Sequence, residues 1–201
     1  MTIAQTLNIP KSKHDYVTEY FSLEQMDPDA WTFPVSTKNI EGIELLHKAY
    51  GLWKDVVKQN NLGRFHGTDS SKVGQMIDDI RTNHVKSTQP PVFIDIDTGD
   101  IITGGHRYEA SAILGIPGWM FQYVRCSNAW ARKRFAKALN NERVFACTLN
   151  DKPEVIEHIK YGIKEGKITC EQDIEDEAFL IAGHGCCASP AVRATIVKEM
   201  V

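Results

Sequence analysis

The sequence predicts an α+β protein: a small mixed sheet packed with helices, followed by a helical tail. Three observations carry that prediction. Residues Val92 to Ile96, Asp97 to Asp100 and Ile101-Ile102 read as strand, turn and return strand. A short helical stretch, His106 to Leu114, leads into a further run of strand formers, Met120 to Val124. From residue 151 onward the patterning is helical throughout.

The composition sets the frame. A chain of 201 residues suits one domain, or a domain with a small appendage. With 42% hydrophobic and 24% charged residues it has the make-up of a soluble globular protein, which sets aside disordered and collagen-like classes. No apolar run approaches the ~18 residues that a membrane span needs. The first residues lack an apolar core followed by a small-residue cleavage site, so no secretory signal is expected and the expected compartment is the cytoplasm. The five cysteines, Cys126, Cys147, Cys170, Cys186 and Cys187, are odd in number and irregularly spaced, which points to reduced thiols. The cluster of His184, Cys186 and Cys187 has no second pair nearby to complete a tetrahedral metal site. A net charge of −3 means that any DNA contact must come from a local patch.

Taken in order, residues 1–15 are a polar arm. Tyr16 to Leu23 is rich in β-formers and predicts a strand, broken by Asp27-Pro28-Asp29. Ile43, Leu46, Tyr50, Trp53 and Val57 recur at helical spacing and predict a long amphipathic helix, ended near Gly63. A polar loop, Arg64 to Ser71, leads to a second helix with Val73, Met76, Ile77 and Ile80 as its apolar stripe and Ser70 or Ser71 as its cap. In the hairpin of residues 92–102, Gly99 is free to take positive φ. The helix from His106 is expected to bury Ala110, Ile113 and Leu114 and to end at Gly115. Asn128 to Leu139 reads as a basic amphipathic helix, and Asp151 to Lys164 as one with Val155, Ile156, Ile159 and Ile163 inward. Ser189-Pro190 signals the start of a last helix, which reaches Val201 without a stop, so the natural chain is expected to continue.

The chemistry concentrates in Gly104-Gly105-His106-Arg107, where a strand runs through two glycines straight into a helix. Small residues let a ligand approach the backbone closely. The first N–H groups of the helix have no partner within it and carry the positive end of the dipole. Arg107 adds a planar fork suited to phosphate oxygens. These features make an anion cradle for a nucleotide or DNA phosphate; the same residues also read as a simple glycine turn with a locally paired arginine.

Strand, turn, strand and Gly104-Gly-His-Arg-Tyr-Glu-Ala110 resemble the phosphate-binding box of the ParB/sulfiredoxin superfamily. Further landmarks occur in the family's order: the helix of Val73 to Asn83, the Gln89-Pro90 entry to a strand, the Gly115-Ile-Pro117 helix exit, the strand of Phe121 to Val124, and Leu139 to Arg143 as a degenerate Glu-Asn-x-x-Arg box. The resemblance covers residues 16–150, leaves 151–201 as a helical C-terminal region, and makes residues 36–68 a helical insertion. It implies a small mixed sheet with helices and a ParB-like DNA-associated protein, with nuclease or nucleotide-hydrolysing activity among the family's options. A nucleotide-dependent small-molecule kinase and a non-enzymatic ParB-like adaptor are the alternatives. Gly105 stands where sulfiredoxin carries its catalytic cysteine, so sulfinic-acid reduction is not expected.

On that resemblance Gly104, Gly105, His106 and Arg107 hold phosphate, of a nucleoside triphosphate or diphosphate with Mg²⁺ or of DNA. His106 donates to phosphate or caps the turn. Glu109, expected on the first helical turn, acts as a base or holds a metal-bound water, or simply favours the helix dipole. Asn141 and Glu142 fall in the family's metal box. Asp95, Asp97 and Asp100 are either a carboxylate cluster for Mg²⁺ or turn-forming acids. Arg132, Lys133, Arg134 and Lys137, interleaved with Trp130 and Phe135, are either a DNA-backbone track or the solvated face of a packed helix. Ile174 to Ala182 and Ser189 to Met200 have the rhythm of a reduced helix-turn-helix whose second helix carries Arg193 and Lys198; a packing or homodimer-forming tail is the other reading.

Overall fold

A computed structural model describes residues 20–22, 24–31, 41–56, 68–85, 91–141 and 151–182. Among them lie β1 (Ile43–Leu52), α1 (Ser70–Asn83), β2 (Val92–Asp95), β3 (Ile101–Thr103), α2 (Gly105–Leu114), β4 (Gly118–Cys126), α3 (Ala129–Asn141), α4 (Asp151–Lys164) and α5 (Glu171–Ala182). Short 3-10 turns occupy Glu24–Met26, Pro28–Ala30 and Trp53–Asp55. The strands form one mixed sheet in the order β1-β4-β2-β3, the α+β architecture expected. The chain divides into two compact units, one holding Glu44–Gln59 and Thr68–Cys126, and so nearly all of the sheet with α1 and α2, the other holding Ser36–Ile43, Asn60–Gly67 and Ser127–Val201, with α3, α4 and α5.

In the sheet unit, β2 and β3 form the expected hairpin, with Phe93 opposite Thr103 and Ile94 opposite Ile101. Gly99 has φ of +73° in the turn. The turn is held by its acids: Asp95 accepts from the Asp97 N–H (3.1 Å) and Asp100 from the Thr98 hydroxyl (2.8 Å). β2 runs parallel to β4, pairing Val92 with Phe121 and Asp95 with Val124. Both inner strands are almost wholly buried, as a parallel pair covered on both faces requires. The core is aromatic: Trp53 meets Phe121 edge-on at 5.2 Å and Trp31 meets Trp119 at 6.3 Å. Such pairs add about 0.5–1.5 kcal/mol each beyond area burial.

The structure corrects several expectations. Residues 43–52 form a strand, not a helix, so this part of the expected helical insertion belongs to the sheet; 32–40 and 57–67 lie outside the described residues. Helical spacing of apolar residues loses here to an edge position beside β4, where burial follows the neighbours rather than strict alternation. A steric fit marks the pairing: a Cβ on Gly51 would lie 2.2 Å from the Phe121 ring, and one on Gly118 would lie 2.2 Å from the Gly51 carbonyl oxygen. Of the strand expected over 16–23, the described residues 20–22 contain a single bridge at Phe21. The Gln25 carboxamide accepts the Ser22 N–H (2.7 Å) and turns the chain away. The cap of α1 is Asp69 rather than Ser70 or Ser71; its carboxylate accepts from the Ser71 N–H (2.9 Å) and hydroxyl (2.7 Å). Ile113 is 62% exposed. Because α2 starts at Gly105, its inward face is Arg107, Ala110, Ser111 and Leu114, spaced i, i+3, i+4, i+7.

In the helical unit Val155, Ile159, Ile168, Ile174 and Ala178 form a core, with Trp130, Ile156 and Ile163 packed on it. All four residues expected to face inward on α4 do so. Asn128 caps α3 by accepting the Ala131 N–H (2.9 Å), and Asp173 accepts from the Thr169 N–H (2.7 Å) and hydroxyl (2.8 Å) ahead of α5. The arm of residues 1–15, the segment 142–150 and everything after 182, including the last helix and the His184 cluster, lie outside the described residues. No helix among the described residues is long and apolar enough to cross a membrane.

Candidate functional site

The two glycines do different work. Gly104 is the N-cap of α2 with φ of +114°, and a Cβ there would sit 2.6 Å from Val92 Cγ2. Only glycine combines that backbone turn with that contact. Gly105 opens the helix, and a Cβ on it would meet nothing within 4 Å. Space therefore stands over the first turn of α2, where N–H groups lack helical acceptors. The N-cap residue, Gly104, has no side chain with which to cap this end. Just before it, the Thr103 hydroxyl is buried and takes no hydrogen bond among the described residues.

The N-terminus of α1 meets the same place. The Asp69 N–H donates to His106 Nε2 (3.3 Å), and the Thr68 hydroxyl donates to Glu109 Oε1 (2.6 Å). Two helix starts, each the positive end of a dipole, thus come together at His106. Hydrogen bonds from Ser71 hold the Asp69 carboxyl below the usual carboxylate range. The N–H that His106 accepts at Nε2 belongs to α1 and not to its own turn. Glu109 lies in the second turn of α2, since the first turn holds no acid, and its carboxylate ties the two helices. Arg107 is 4% exposed, so its guanidinium fork sits within the unit. Neither Asp69 nor Thr68 was singled out by the sequence for this position; a polar run ending in a helix cap was the available signal.

Asp95 and Asp100 are buried in the hairpin turn, and Asp97 is 3.4 Å from the Nε of Arg125, whose Nη1 donates to Glu44. They are turn-forming acids. No group of three or more metal-binding side chains occurs among the described residues. Asn141 ends α3, and Glu142 lies outside the described residues.

The basic helix α3 is largely occupied within its own unit. Arg134 Nε donates to Glu177 Oε2 (2.8 Å), and Lys133 Nζ lies 3.6 Å above the Tyr161 ring. Burial pushes the Lys133 ammonium below its usual pKa against the pull of Glu165. Lys137 is buried and Arg132 half-buried. Phe135 is buried and Trp130 half-buried, the packed stripe of the second reading.

A mixed four-stranded sheet with a glycine-led helix following a hairpin defines a recognisable class of fold. No protein-family model matches the chain, and no curated protein matches it. Among solved structures it resembles a Pnob8-like ParB-N domain, with a TM-score of 0.54 and 11% identity over 78% of this chain and 70% of that one. It is also similar to the C-terminally truncated chromosome-partitioning protein ParB from Caulobacter crescentus complexed with CTP-gamma-S, at 14% identity, a TM-score of 0.41, and coverage of 76% and 93%. The fold is ParB-N-like.

Proposed function

We propose that the chain is a ParB-like phosphate-binding protein whose ligand is a nucleoside triphosphate or diphosphate carried with Mg²⁺. The observation that supports this best is the open space over Gly105 at the glycine-led start of α2, beside the start of α1. The N–H groups of Gly105 and His106 point at the phosphate, and the buried Thr103 hydroxyl is a donor in reserve. Arg107 adds positive charge to the same helix end without a side-chain path through solvent. His106 and Glu109 both serve helix-to-helix hydrogen bonds, which favours binding over hydrolysis as the resting role.

The test is calorimetric titration of the full chain with a panel of nucleoside di- and triphosphates, with and without Mg²⁺. Binding that a free monophosphate does not match supports the reading. A chain that binds duplex DNA but none of the panel overturns it in favour of a DNA phosphate; silence towards both overturns the cradle itself.

A further inference from the structure

We propose that the helical unit carries an acid-sensitive lock: the neutral imidazole of His158 holds α3, α4 and α5 together, and proton uptake by that ring releases them.

The lock is a buried polar cluster that the phosphate cradle does not use. His158, on α4, is 0% exposed. Its Nε2 lies 2.8 Å from Glu177 Oε1 on α5, and the other oxygen of Glu177 accepts from Arg134 on α3. One carboxylate thus joins all three helices. The face of the imidazole stacks on Trp130 of α3, with centroids 4.7 Å apart and planes 20° apart. The second ring nitrogen, Nδ1, is buried with no hydrogen-bond partner among the described residues.

This geometry suits one protonation state. With its proton on Nε2, His158 donates to Glu177 and leaves an unprotonated nitrogen in the core. A second proton must go on Nδ1, where no acceptor among the described residues receives it. The charges around the ring also count against it. Arg134 and Lys137 on α3 face it with positive charge, and Glu177 on α5 is the one anion among these groups. Burial foremost, with Lys137 and Arg134, holds the ring's pKa below the ordinary 6.5, against the pull of Glu177.

The sign follows from linkage. The unfolded chain takes the proton near pH 6.5 and the folded unit resists it, so the unfolded state binds more protons in acid. The stabilisation is fully present above pH 6.5 and is lost as pH falls towards the folded-state pKa. Between those limits the folding equilibrium weakens by up to about tenfold per pH unit for this one proton. Asp69 and Asp173, both held below the usual carboxylate range, titrate in a more acid window and do not contribute here.

The experiment uses the full chain. Histidine ring resonances are followed by NMR from pH 8 to 4.5, with His158→Gln assigning the His158 signal, and urea unfolding of both proteins is measured at pH 7.5, 6.5 and 5.5. The expected result is a His158 signal that holds its neutral shift well below pH 6.5 and moves only as the helical unit opens. His158→Gln, whose amide still donates to Glu177, should unfold with little pH dependence over the same range. A His158 signal that titrates at or above pH 6.5 in the folded chain overturns the lock. So does parallel acid loss of stability in both proteins, which would assign the effect to other groups. If the glutamine variant fails to fold, assignment by Trp130 ring-current contacts leaves the native titration to decide.

Discussion

Exchanging each cradle glycine for alanine separates backbone demand from ligand demand. At position 104 the cost is worked from two terms. A φ of +114° is disfavoured for an L residue by about 1–3 kcal/mol. The new Cβ would press on Val92 at 2.6 and 2.9 Å, and Val92 is fully buried with no room to yield, which adds about 1–3 kcal/mol. Gly104→Ala should therefore lose about 3 kcal/mol, a fall in Tm of roughly 10 °C for a chain of this size. Combining it with Val92→Ala should return the contact part of the loss but not the backbone part, as a double-mutant cycle reads directly. At position 105 the backbone is helical and the surroundings are open, so Gly105→Ala should stabilise the fold by up to about 0.5 kcal/mol. Its methyl group would occupy the space where phosphate is proposed to sit, and nucleotide affinity should fall by about tenfold, roughly 1.4 kcal/mol. Thermal unfolding and calorimetric titration of the two variants are the assays. Gly104→Ala as stable as the parent would refute the strain argument. Gly105→Ala with undiminished affinity would refute the position of the cradle.

Three further expectations concern other groups. Arg134→Ala leaves Glu177 buried with one partner fewer and should destabilise the helical unit by about 2 kcal/mol, measured by urea unfolding at pH 7.5; Arg134→Lys should recover only part of that. Asp69→Asn keeps an oxygen for the α1 cap but cannot ionise, so acid unfolding below pH 4 should become shallower, because the native carboxylate contributes stability in full above its unfolded pKa and loses it as pH falls from there through its lower folded-state pKa. Arg132→Glu with Lys133→Glu should leave DNA affinity and its salt slope within error, because α3 spends its charges on its own unit; a clear loss of duplex affinity in fluorescence anisotropy at low salt would restore the DNA-track reading.

The parts of the fold that the chain announces are those with local rules. Gly99 and the flanking acids make the hairpin readable, and Asn128 and the stripe of Val155, Ile156, Ile159 and Ile163 mark their helices. β1 was not readable because Leu46, Tyr50 and Trp53 fall at helical spacing, and what makes the segment a strand is β4, far along the chain. At the site, the double glycine and its helix were visible, since they are contiguous. The meeting of Asp69 with His106 and of Thr68 with Glu109 was not, because it depends on how α1 packs on α2. The burial of Arg107 was not legible either, because it depends on the phase of α2, set by its start at Gly105.

The contact between Gly51 and Gly118 has a consequence for how this sheet can drift over generations. The obstacle that a side chain at 118 would meet is a carbonyl oxygen, which every amino acid carries, so no change at 51 can make room for it. Nor can a change at 118 relieve a side chain at 51, whose obstacle is the ring of Phe121. The two positions cannot compensate for one another. Along the rest of β1, by contrast, an exposed residue such as Leu45 meets no such obstacle. Descendants that keep this strand pairing should therefore hold glycine at 118 even after the neighbouring letters have become unrecognisable, and at 51 for as long as an aromatic ring stands at 121.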